Sequence, residues 1–424
     1  MRIDCSRWAP PDHRSEHRQR SLRRRLLFLL PFPPRHDAIH GGARVMAYLI
    51  RALEARHDVA ALYLRERGEL PIDDGLQGSL RRVEEVPYPR HLTFATRLAR
   101  RTAALRGIPS WASYVDVPEF AHRLRELATT WHPDIVHFEY HVMGQYAREL
   151  PDHRAARVLS EYEAGVLAAR EHMATGKDSG AVESSLQRRA WERFERRVIG
   201  AMDAVVVFSD RDKVALAPLA AETPIVRIGI GTHVPRFPLE PLGAAGHPRL
   251  LFIGNFMHPP NVDAALRLTD HIFPAVRARV PGSMLRIVGA HPPAELLSRA
   301  RDGIEVTGRV PDVAPWLNAA ALVVVPLRLG GGMRVKVVEA LAYGKAVVAS
   351  PRALEGLNVT DGVEVGVADS DDQFVTRIVS LLESPDARGA LARKAREWAV
   401  ANLGTERWVA EYEALYDRLR PVAH

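Results

Sequence analysis

Residues 322–349 read Leu322-Val-Val-Val325-Pro326-Leu-Arg-Leu-Gly330-Gly331-Gly332-Met333-Arg334-Val-Lys336-Val-Val-Glu339-Ala-Leu-Ala-Tyr-Gly344-Lys345-Ala-Val-Val-Ala349. Two short runs, apolar on both faces, flank an amphipathic stretch at 333–342. Strand, helix and strand of that kind predict a parallel sheet covered on both sides. The glycine triplet between strand and helix lets backbone N–H groups approach an anion, which a helix N-terminus already favours. Arg334 and Lys336 fall in the expected first helical turn, where acids are normally preferred. Two cations there make sense if a bound diphosphate supplies the missing negative charge, and Glu339, one turn further in, is placed to reach a ribose.

The same alternation runs outward in both directions. Strands are expected at 250–253, 285–288, 304–307, 322–325 and 346–349, with helices at 261–278, 333–342, 371–382 and 385–402. The last of these has Ser384 as N-cap and Pro385 at the first helical position. Upstream, strands are expected at 26–30, 59–64, 135–138, 158–160, 204–208 and 225–228, and helices at 45–55, 120–130 and 188–201. Four prolines and two glycines in residues 235–248 separate the two series. The chain therefore divides into a disordered basic tail (1–24), a first Rossmann-like domain (25–235), a linker (236–248), a second Rossmann-like domain (249–403) and a terminal helix (404–424). Ligands of such sheets bind beyond the carboxyl ends of the strands. The stretch 65–130 carries no readable pattern.

Composition narrows the function. The 424 residues are 47% hydrophobic and 26% charged, as in a folded globular protein. Of the net charge of +7, residues 1–25 supply +5, from eight arginines against three acids. The body is nearly neutral, which argues against nucleic acid as a partner. The clustered arginines leave peripheral attachment of the tail to an anionic membrane face open. A single cysteine, Cys5, rules out an internal disulfide and fits a cytoplasmic protein, and no apolar run has membrane-spanning length. Arginine outnumbers lysine 53 to 5, as in chains from GC-rich bacterial genomes, so lysines at 336 and 345 stand out.

The Gly330–Ala340 segment, GGGMRVKVVEA, resembles the GGGxRxKxxEA donor motif of a subgroup of family 4 retaining glycosyltransferases of the GT-B fold. Ala346-Val-Val-Ala-Ser350 and Glu355-Gly356-Leu357 continue it. Phe252-Ile253-Gly254-Asn255-Phe256, Pro260-Asn261, Val288-Gly289 and Val306-Thr307-Gly308-Arg309-Val310-Pro311-Asp312 precede it in the matching order. The resemblance covers residues 25–420 and is strongest over 250–357. It implies two doubly wound α/β domains in GT-B arrangement, with the terminal helix crossing back onto the first. The implied activity is metal-independent, hexosyltransferase-type transfer, with retention, from a nucleoside-diphosphate sugar to a hydroxyl acceptor. No cofactor is permanently bound, and the implied setting is polysaccharide, glycolipid or natural-product glycoside synthesis. Arg334 and Lys336 are implied on the diphosphate, Glu339 on the ribose, and Gly330, Gly331, Gly332 and Met333 as backbone facing the donor. Gly254, Asn255, Gly308, Arg309 and Val310 are implied around the nucleotide, and Gly41-Gly42 as the glycine loop of the first domain.

Two positions depart from that family. Gly331 stands where it has a carboxylate on the donor sugar, and Tyr162 where many members have a histidine. His137 and Glu139, at the end of an expected strand, are the acid–base candidates of the first domain, since i and i+2 share a face. Asp210-Arg-Asp212 and Asp369-Ser-Asp371 spell a metal-binding DxD pattern but read as helix caps, and no His or Cys cluster has metal-ligand spacing. A catalytically silent sugar-nucleotide-binding protein and a GT-B epimerase remain alternatives. In the terminal helix, apolar residues at 408, 412, 415, 416 and 419 form one stripe that must be buried.

Overall fold

The computed structural model describes residues 23–38, 40–89, 97–98, 100, 102–151, 155–168, 181–236, 238, 248–331 and 334–419. In the first domain, β1 (Arg25–Leu30), β2 (Asp58–Arg65), β3 (Arg82–Pro87), β4 (Ile135–Glu139), β5 (Ala156–Glu161), β6 (Ala204–Val207) and β7 (Ile225–Arg227) form one sheet in the order 3-2-1-4-5-6-7. In the second, β8 (Arg249–Ile253), β9 (Met284–Val288), β10 (Ile304–Val306), β11 (Leu322–Val325), β12 (Val347–Ala349) and β13 (Gly366–Val367) follow the order 10-9-8-11-12-13. Every pairing is parallel; Leu26 of β1 lies between Val59 of β2 and Ile135 of β4. Strand order reverses at β1/β4 and again at β8/β11, so each sheet opens a crevice beyond its strands' carboxyl ends.

The helices that matter for the site are α1 (Gly41–Glu54), α2 (Pro118–Trp131), α3 (Ala181–Ile199), α4 (Val335–Ala342), α5 (Asp371–Glu383), α6 (Pro385–Leu403) and α7 (Thr405–Leu419). β1 shows why the sheet needs them on both sides. Leu26, Phe28 and Leu30 pack with Val45, Met46 and Leu49 of α1, while Leu27 and Leu29 pack with Phe120 and Leu124 of α2, all fully buried. Period-two alternation sends successive side chains into opposite layers, which is why a parallel strand reads as continuously apolar.

α7 crosses onto the first domain. Tyr416 places its hydroxyl 2.7 Å from His137 Nε2, Asp417 pairs with Arg24 at 2.5 Å, and Glu413 pairs with Arg56 at 2.9 Å. The Trp408 ring lies against Gly231, where a Cβ would collide with it. Trp408, Tyr412, Leu415 and Tyr416 are buried, so the stripe at 408–416 is covered; Leu419 packs partly buried at its end.

Several expectations are corrected. β3 and β13 were not foreseen. Arg23 and Arg24, assigned to the tail, belong to the first domain: Arg24 is buried, and Arg23 lies 3.5 Å from Asp58. The helix expected at 261–278 carries a π turn at Leu268–Ile272 between Pro259–Arg267 and Phe273–Arg279. Pro274 lacks the N–H that a regular helix would use there, and the wider turn absorbs the gap. Ser209 and Ser370, rather than the neighbouring aspartates, cap their helices; Ser370 forms a capping box with Gln373 at the start of α5.

Candidate active site

The carboxyl ends of both sheets face one cleft of about 800 Å³. Residues of both domains line it, the second contributing more, and the N-termini of α1 and α4 both open onto it. The two meet where a Cβ on Gly41 would lie 3.0 Å from Val335 Cγ2. Gly42 is equally constrained, because the Tyr140 hydroxyl occupies the space a side chain would take. Tyr140 itself has φ +70°, a conformation costly for a bulky residue. That turn ends β4 and carries the tyrosine ring into the cleft.

On the second domain, β11 leads into the glycine loop and α4. Gly330 has φ +88° and packs against Pro260. Arg334 lies just before α4 rather than in its first turn, as the N-cap residue. Its guanidinium donates to the carbonyls of Gly331 (2.8 Å) and Gly330 (3.1 Å) and pairs with Glu355 (3.0 Å), which fixes the loop from inside. Lys336, in the first turn of α4, donates to Asn261 Oδ1 at 2.5 Å and sits 4.6 Å from the Phe252 ring centre. No carboxylate among the described residues reaches it. Burial, with Arg334 and Arg44 nearby, pulls its pKa down to about 7.

Glu339 is buried and takes a bidentate pair from Arg44 of α1, at 2.8 and 3.0 Å. Burial alone would lower the Arg44 pKa, but Glu339 outweighs it and raises it. Of the remaining expected residues, Gly41, Gly42, Gly254, Asn255, Arg309, Val310, Gly330, Gly331, Arg334, Lys336 and Glu339 line the cleft. Gly308 does not; it lies behind, its carbonyl bonded to the Gly289 N–H. Gly332 and Met333 lie outside the described residues.

His137 and Glu139 are corrected. Both have zero exposure and neither lines the cleft. His137 stacks on Phe28 at 4.4 Å and meets Tyr416, while Glu139 accepts from Ser160 (3.0 Å) and Tyr162 (2.5 Å). β4 runs to Glu139, one residue beyond the expected strand end, so the rim begins at Tyr140 and the shared face of 137 and 139 points into the core.

The first-domain rim is aromatic and acidic instead. Tyr140 stacks on Tyr162 with centres 4.3 Å apart and meets Trp111 edge-on, and Trp191 stands beside Gly165. Glu163, half-buried at the end of β5, accepts the Gly331 N–H at 3.1 Å across the cleft. Behind them, His141, Glu161 and Glu195 form the one grouping among the described residues whose side chains converge closely enough for an ion. Glu195 already accepts the amides of Gly165 and Val166, and burial pushes its pKa up to about 8. His141 Nδ1 lies 2.5 Å from Glu161. This reads as a proton-sharing cluster that supports the rim. Arg44, Trp111, Tyr140 and Trp191 were missed by sequence reasoning; Asn261 falls in a quoted motif, and Tyr162 and Glu163 just follow the strand expected at 158–160.

Residues 247–384 match the family model described as Glycosyl transferases group 1, which covers the sheet and glycine loop of the second domain. No curated protein sequence matches the chain. Among solved structures, the fold is shared with sucrose-phosphate synthase from Thermosynechococcus elongatus (TM-score 0.71, 18% identity, 94% of this chain and 100% of that one). HepE of Anabaena, solved in complex with UDP, superposes with TM-score 0.66 at 14% identity over 93% and 100% of the two chains. WaaG, a glycosyltransferase involved in lipopolysaccharide biosynthesis, gives TM-score 0.62 at 15% identity over 93% and 99%. The two parallel-sheet domains are thus arranged as in GT-B glycosyltransferases.

Proposed function

We propose that the protein is a glycosyltransferase that binds a nucleoside-diphosphate sugar on the second domain and transfers the sugar, with retention, to a hydroxyl acceptor held by the first. The observation that carries this reading is the Lys336 ammonium. It is desolvated, lacks a carboxylate partner among the described residues, and shares the mouth of a two-domain cleft with Arg334 and two helix N-termini. As the bond to the sugar breaks, negative charge grows on the departing diphosphate, and fixed cations there stabilise it without reorganising. Lys336 supplies the direct charge and Asn261 orients it. Arg334 shapes the loop and adds positive potential behind it.

In this mechanism the leaving phosphate oxygen takes the acceptor proton on the same face, and no covalent nucleophile is needed. Arg309 and Val310 would flank the base. Glu339 would exchange its Arg44 partner for ribose hydroxyls, or share both. The aromatic rim, with Tyr140, Trp111 and Trp191, would receive an acceptor that presents a ring face. Among the described residues no helix is long and apolar enough to cross a membrane.

Thermal shift against a panel of nucleoside diphosphates and their sugars tests the reading, because a ligand that binds only the folded state raises its apparent stability. UDP and UDP-hexoses come first, since HepE is described with UDP. Stabilisation by at least one sugar nucleotide is expected, and incubation with an acceptor panel should give a glycosylated product by mass spectrometry. Tight binding without product would instead favour a silent binding protein, and no stabilisation by any member would overturn the proposal.

A further inference from the structure

Gly331 has no side chain, yet the space in front of it is not empty. A Cβ built there would lie 3.2 Å from Glu163 Oε1, and the Gly331 N–H donates to that same oxygen. A carboxylate from the first domain therefore stands where a side chain from the second-domain loop would otherwise project, with Arg211 Nη1, which lies 3.7 Å from Glu355, bordering the same space at 3.3 Å. Its one side-chain hydrogen bond among the described residues is that from Gly331, and no cation there comes within ion-pair distance. Arg334 and His141 act on it electrostatically without pairing with it. Glu163 lines the same cleft as Lys336, Arg334 and the stacked Tyr140 and Tyr162 rings, with acceptor capacity to spare.

We propose that Glu163 is the group that holds the hydroxyls of the transferred sugar, so that the donor is gripped by both domains: its diphosphate by the second, its sugar by a carboxylate of the first. The inference rests on the diphosphate reading of Lys336, because a sugar joined to a phosphate at that ammonium lies next to Gly331. A carboxylate beside an aromatic pair is the pairing that recognises a polyol ring, with charge-assisted bonds to hydroxyls and apolar contact to C–H faces. The sugar contact then exists only while the cleft is closed.

Glu163→Gln separates this role from a structural one. The amide carbonyl still accepts the Gly331 N–H, so the loop keeps its support while the charge is lost. Calorimetry with UDP, and with the UDP-hexose that stabilises the wild type most, reads the difference. The expected result is a UDP-hexose affinity weakened at least tenfold while UDP affinity stays within twofold. The second construction, Gly331→Glu in a Glu163→Ala background, returns a carboxylate to the same space from the other domain. It is expected to recover most of the lost preference for UDP-hexose over UDP. Equal weakening of both ligands in Glu163→Gln would mean that Glu163 only braces the loop, and unchanged binding of both would mean that it touches no ligand; either overturns the inference. Failure of the wild type to bind any nucleoside diphosphate would instead strike the diphosphate reading, which is measured separately.

Discussion

Arg334, Lys336 and Glu339 come to the second-domain rim from one loop and helix, whereas the first-domain rim draws Trp111, Tyr140, Glu163 and Trp191 from four separate segments, two of them helices. One rim is cationic and made of backbone and long polar side chains. The other is flat, aromatic and backed by buried acids. The contrast teaches where each kind of chemistry can be encoded. A phosphate site needs glycines, a helix start and two cations in one frame, so it fits in a dozen consecutive residues. A surface for ring faces needs bulky groups at several angles, and only the tertiary fold can bring those together.

The largest effect is expected from removing residues 404–424. This deletes Trp408, Tyr412 and Tyr416 from the core and leaves His137 without its hydrogen-bond partner. Each buried aromatic removed costs about 3–5 kcal/mol. The first domain should lose its cooperative melting transition and transfer should vanish, while the second retains more of its nucleotide binding. A truncated chain with full activity and an unchanged single transition would show that the two halves do not depend on the crossing helix.

Lys336→Ala comes next. Loss of a charge that stabilises the leaving group typically costs about 10²–10³-fold in turnover. Because the same change removes a desolvated cation, the melting temperature should stay level or rise. Wild-type turnover in a transfer assay would remove Lys336 from the mechanism.

A smaller effect separates the rims by pH. Burial and the neighbouring arginines pull the Lys336 pKa down to about 7, and a diphosphate bound there would raise it. Above pH 7 binding must therefore take up a proton, and UDP affinity should fall by up to about tenfold per pH unit. Calorimetry above pH 7 in buffers of different ionisation enthalpy would detect the uptake; a binding enthalpy that does not change from buffer to buffer would contradict it.

The smallest effect concerns the acids behind the aromatic rim. Glu195 is held at about 8, well above its unfolded value, so its folded state binds more protons between those two values. Its contribution to stability is complete below the unfolded pKa and is lost as pH rises through about 8. Glu195→Gln should gain a few degrees in melting temperature relative to wild type at pH 9, compared with the difference at pH 6. An equal offset at both pH values would mean that Glu195 is not protonated in the fold.

Legibility in the sequence followed the same divide. β1 and β11 were readable because both faces are buried and every residue is apolar. β3, Arg-Val-Glu-Glu-Val-Pro, was not, because it is an edge strand with four of its six residues polar or proline, and β13 has only two residues. The glycine loop and its cations could be read as one segment. Glu139 was misplaced by a single residue of strand length, enough to turn a rim position into a core position, and His137 inside the strand shares its buried face. Arg44 gave no signal, since its importance lies in meeting Glu339, 295 positions away.

α7 also sets an order of events during synthesis. The layer around Phe28 and His137 is closed by Tyr412 and Tyr416, which are made after the whole second domain. At a translation rate of about 5–20 residues per second, roughly 10–40 s separate β7 from Tyr416. For that interval the first domain stands on the ribosome with one face of its sheet only partly covered. The second domain, whose strands and helices α4 to α6 are contiguous, can complete itself first. The half of the chain that is translated first is thus the half that finishes folding last, and a nascent chain stalled before residue 404 presents to chaperones a sticky surface that the finished protein never shows.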